Sequence, residues 1–88
     1  MKLLGFEVND FDKDGFSIRD TICNWLDDPA AYDLEMISTD RDQIKVLNKF
    51  QEIALLSGAT TIRQVEYIYK LEERLKVIES NLNLSWLV

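Results

Sequence analysis

The 88-residue chain has no histidine, one cysteine, one proline and three glycines, and its bases are outnumbered by its acids, 10 to 16. Without histidine there is no Ser-His or Cys-His nucleophile and no imidazole base, the commonest devices of acid–base catalysis. The remaining carboxylates, lysines and tyrosines show no spacing that picks out a reacting pair. No enzyme, catalytic residue or cofactor is therefore expected. A lone Cys23 forbids an internal disulfide framework and a cysteine-built zinc site, and in an amphipathic stretch it is expected to be a small buried hydrophobe. No apolar run approaches the length of a membrane span, and the opening from Met1 to Glu7 meets acid at once. The expected location is the cytoplasm, or a host cytoplasm for a viral product. No linker, repeat or low-complexity tract divides the sequence, so residues 1–88 are expected to form one domain.

What is present is ordinary for a folded chain, 47% apolar and 30% charged. The pattern predicts an α-rich α+β fold, with an all-α fold as the alternative. Its centre is a long antiparallel helical hairpin, residues 40–57 and 61–82. The first arm opens on Thr39 or Asp40 as N-cap and stops at Ser57-Gly58, where glycine accepts the left-handed conformation. Val46, Leu47, Phe50, Ile53 and Ala54 mark its apolar face, and Ile44, Leu55 and Leu56 widen it, so cover on two sides is expected. The second arm opens on a capping box, Thr61 with Gln64. Its seam is Ile62, Val65, Ile68, Leu71, Leu75, Ile78 and Leu82, coiled-coil-like from Ile68 onward. Asn81 and Asn83 are expected to close it. Being longer than the first arm, it needs a cover for Ile78 and Leu82 from elsewhere.

Before the hairpin, residues 2–8 alternate as a short strand with Leu4, Phe6 and Val8 on one side. Ser17 and Asp20 repeat the capping spacing and begin a shorter helix over 17–27, with Ile18, Ile22, Trp25 and Leu26 as its face. Asp28-Pro29 suits a fresh helix start, yet Tyr32, Leu34 and Met36 alternate with acids. The alternation favours a strand over 33–37, paired with residues 2–8. The tail from Leu84 to Val88, with Trp86, is apolar and is expected to be pinned in the fold or in an interface.

Asp10, Asp12 and Asp14, followed by Gly15, form the first half of a calcium-loop pattern and resemble the start of an EF-hand loop over six residues. Thr21 stands where the bidentate carboxylate belongs, and an acidic turn into a capped helix accounts for the same residues, so no metal is assigned.

Charge is lopsided. Residues 1–42 carry eleven acids and four bases, a net of −7, while residues 43–88 carry five acids and six bases, a net of +1. The acidic half disfavours nucleic acid and favours a basic protein surface. The expected function is a non-enzymatic protein-binding module, in its sharper form an acidic inhibitor covering a basic or nucleic-acid-binding surface. In length and charge the chain resembles immunity proteins and virus-encoded inhibitors of host enzymes, without a shared residue motif. Its candidate contact residues are Asp10, Asp12, Asp14, Asp27, Asp28, Ile78, Leu82 and Trp86. One alternative is a helical homo-oligomerisation module. Another is a helix-turn-helix DNA-binding domain using Arg63 and Lys70, for which a net charge of +1 is a poor phosphate grip.

Overall fold

The computed structural model describes residues 1–31 and 33–86, without the side chains of Glu35, Met36 and residues 79–86. In chain order the elements are β1 (Lys2–Leu3), β2 (Phe6–Glu7), α1 (Ile18–Asp27), a 3₁₀ turn (Leu34–Ile37), α2 (Arg41–Ser57) and α3 (Ile62–Trp86). The fold is α-rich α+β, with three helices and one small antiparallel sheet among the described residues.

The sheet corrects the expectation of a single strand over 2–8. The chain reverses at Leu4-Gly5, so β1 and β2 pair with each other, Lys2 opposite Glu7 and Leu3 opposite Phe6. Both turn residues have positive φ, +52° at Leu4 and +79° at Gly5, the demand of a type I′ turn that glycine meets without strain. The reversal changes which side chains go inside. Leu3, Leu4 and Val8 are buried, and Phe6 stands 56% exposed.

α1 forms as its caps and face dictate. Ser17 Oγ accepts from the Asp20 amide at 3.4 Å, and Ile18, Ile22, Trp25 and Leu26 are buried. Cys23 lies off that face and is exposed, against the expectation of a buried thiol. After α1, the Ala31 amide bonds the Asp28 carbonyl at 3.1 Å, closing a turn around Pro29 and not a new helix. The expected strand over 33–37 is also absent. Leu34–Ile37 winds as a 3₁₀ turn that drops Leu34 fully into the core, while Tyr32 and the Met36 side chain lie outside the described residues.

Asp40 caps α2, its Oδ1 accepting from the Asp42 amide at 2.9 Å and the Gln43 amide at 3.5 Å. Gly58, at φ +70°, ends the helix and donates its amide to the Ala54 carbonyl at 2.9 Å. Leu47, Phe50, Ile53 and Ala54 are buried and Val46 packs beside them. Leu55 and Leu56 are exposed, so the apolar stripe is covered on one side only. Edge-to-face contact of Trp25 with Phe50, centroids 6.3 Å apart at 62°, joins α1 to α2.

α3 starts on the expected box, with a shift of one residue in the return bond. Thr61 Oγ1 accepts from the Gln64 amide at 3.1 Å, while Gln64 Oε1 reaches the Thr60 amide at 2.8 Å. Asn81 and Asn83 do not end it; the helix runs on to Trp86. It is in contact with α2, to which residues 58–61 join it. Val65 is buried, and Ile62, Ile68 and Tyr69 pack against the core. Beyond Tyr69 the described seam residues Leu71, Leu75 and Ile78 are exposed, and the Leu82 side chain lies outside the described ones. The molecule measures 54 × 25 × 17 Å, and 25 helical residues alone span about 37 Å.

Candidate interaction surfaces

The acidic loop is built by its own hydrogen bonds. The Asp12 amide bonds the Phe16 carbonyl at 2.8 Å and the Ile18 amide bonds the Asp10 carbonyl at 3.0 Å, so Phe11 and Ser17 face each other as an isolated bridge. Asp12 Oδ1 accepts from the amides of Asp14 at 2.9 Å and Phe16 at 2.8 Å. One oxygen thus organises the turn, as an aspartate does in an Asx turn. Asp10 Oδ1 lies 2.6 Å from the Met1 ammonium, which also donates to the Val8 carbonyl at 2.7 Å. The hydrogen bond to Asp10 raises the ammonium pKa above its ordinary value, against desolvation and helped by the charges of Asp10 and Glu7. Among the described residues no group of three or more carboxylates or thiols is arranged to hold a metal ion.

The other candidates are dispersed. Asp12 lines a small hollow with Asp40, whereas Asp27 lines a different one with Arg19, Thr61 and Arg63. Asp12 and Asp27, two of the five aspartates singled out in the sequence, therefore line different hollows. Ile78 lies on the outer stretch of α3, where Glu73, Arg74 and Val77 frame an open hollow of about 400 Å³ with it. Leu82 and Trp86 belong to the same helix, with side chains outside the described ones.

Two larger concavities flank the β1–β2 hairpin. One, of about 550 Å³, is floored by Leu4, Phe6, Val46 and Tyr69, with Lys45 and Lys49 balanced by Glu7 and Asp42. The second, of about 520 Å³, is edged by Lys2 from β1, Arg19 from α1, and Arg63 and Lys70 from α3. Among the described residues Glu66 is its one carboxylate, and Glu66 Oε1 accepts from the Leu4 amide at 2.6 Å. No protein-family model, curated protein or solved structure matches the chain.

Arg63 and Lys70 were visible in the sequence as a pair on one helix face, seven residues apart. Lys2 and Arg19 were not, because only the packing of β1 and α1 against α3 brings them there. Among the described residues no helix is long and apolar enough to cross a membrane.

Proposed function

We propose that the protein is a non-enzymatic protein-binding module that associates through the outer half of α3, with a second copy of itself as the first partner. In this reading α2 and α3 lie side by side as a long antiparallel hairpin, the arrangement a short connection favours, and the overhanging arm carries the contact. The observation that carries it is the exposure of a coiled-coil seam: Leu71 at 40%, Leu75 at 55% and Ile78 at 53%. Ile68, Leu71, Leu75 and Ile78 follow the 3, 4, 3 spacing by which two helices interlock their side chains. A row of large apolar side chains left in water on a regular helix is costly, and pairing removes that cost.

Charge supports a second copy. The stretch Glu72-Glu73-Arg74-Leu75-Lys76 holds two acids and two bases, so two such helices do not repel. The acidic inhibitor reading rests on net charge, and the separation of Asp12 from Asp27 gives it less support than the seam gives self-association.

Sedimentation velocity over a hundredfold concentration range tests the proposal. The expected result is a reversible dimer that Leu75→Asp or Ile78→Asp reduces to monomer with the helical circular dichroism of the body retained. A strict monomer at millimolar concentration would overturn it.

A further inference from the structure

We infer that the concavity framed by Lys2, Arg19, Arg63 and Lys70 is a binding site for a compact polyanion bearing two or more phosphate groups. The four cations come from three elements and positions as far apart in sequence as 2 and 70, and packing brings them to the edge of one hollow of about 520 Å³. Its volume lies within the roughly 300–1,000 Å³ typical of small-ligand sites. The chain carries 16 acids and a net charge of −6, yet among the described residues Glu66 is the one acid that reaches this hollow, and its Oε1 is engaged by the Leu4 amide. The described ion pairs involve Met1, Lys49 and Lys76 and none of these four cations.

Gathering like charges around one hollow costs electrostatic free energy, which an anion bound between them recovers. Two of the four are arginines, whose planar forks match the paired oxygens of a phosphate; the lysines add point charges. Ligand size follows from the surroundings. Long nucleic acid would gain at these cations and lose wherever it crossed the surface of a chain with an excess of acids. A compact ligand takes the gain alone. The site shares no residue with the exposed outer positions Leu71, Leu75 and Ile78, so each proposal stands or fails separately.

Isothermal titration of the full chain with tripolyphosphate at low salt tests the site. Saturable one-to-one binding is expected, weakened about tenfold or more by combined Arg19→Gln and Arg63→Gln and unchanged by combined Lys45→Gln and Lys49→Gln. Circular dichroism checks the fold of each variant; if the arginine pair unfolds, Lys2→Gln with Lys70→Gln carries the same test. Absence of saturable heat, or equal affinity in the charge-depleted variant, overturns the assignment. Tighter binding of a single-stranded oligonucleotide or an oligoglutamate peptide than of tripolyphosphate also overturns it, in favour of that polyanion.

Discussion

Asn48 follows the buried Leu47 on α2, and its Oδ1 is enclosed without a hydrogen-bond donor among the described residues. A buried acceptor left unmatched costs about 1–3 kcal/mol, so Asn48→Leu is expected to stabilise the fold by about 1 kcal/mol, read from urea unfolding. A fall in midpoint would show that the amide is needed there. At the chain start, the Met1 ammonium is held by Asp10 and its pKa is raised. A raised value means the folded state binds the proton more tightly than the unfolded one. The stabilisation is therefore complete below the ordinary value of 8.0 and is lost as pH climbs through the higher folded-state value. The thermal midpoint of the native chain should fall between pH 7 and a more alkaline pH, and Asp10→Asn should flatten that fall. Equal slopes in the two proteins would refute the linkage.

Among the elements, the helix starts and the stop at Gly58 were legible in the sequence because caps are local chemistry, whereas the stop expected at Asn81 and Asn83 was not, α3 running on to Trp86. Ser17, Asp40, Gly58 and the Thr61–Gln64 pair each act within four residues of themselves. The short extended segments were not legible, since alternation over four or five residues fits a strand, a hairpin and a 3₁₀ turn equally well. Gly5 was the overlooked signal at the first, and at the second only the depth of Leu34 in the core separates the choices. What ties these elements together is equally non-local. Glu66 Oε1, one turn into α3, accepts from the Leu4 amide at 2.6 Å, inside the reversal between β1 and β2. Leu4 holds a positive φ with a buried side chain, so this bond fixes a turn that sterics alone disfavour. Glu66→Ala should cost about 1–3 kcal/mol by leaving that amide unmatched, while Glu66→Gln, which keeps an acceptor oxygen, should cost markedly less. Similar losses in both would place the effect in the charge and not in the hydrogen bond.

Over the whole molecule, packing is uneven along the long axis. The core from Leu3 to Val65 is one continuous cluster, whereas α3 from Lys70 to Ile78 has one half-buried side chain, Glu72, and the others exposed. Single helices in water are marginal even when their sequence favours them, so this outer stretch draws little stability from the body. Amide hydrogen exchange should resolve the difference. In dilute solution the amides of residues 72–78 are expected to exchange about a hundredfold faster than those of Leu47 to Ile53, which open only with the core. Raising the protein concentration should slow the first group and leave the second unchanged, because pairing of the seam buries the outer stretch while core opening stays unimolecular. Protection of residues 72–78 that is already core-like when dilute and indifferent to concentration would mean that the arm is stabilised within its own chain. The exposed seam would then be no evidence of a partner. Concentration-dependent protection that Ile78→Asp removes would place the contact on the exposed face of α3 that carries Leu71, Leu75 and Ile78.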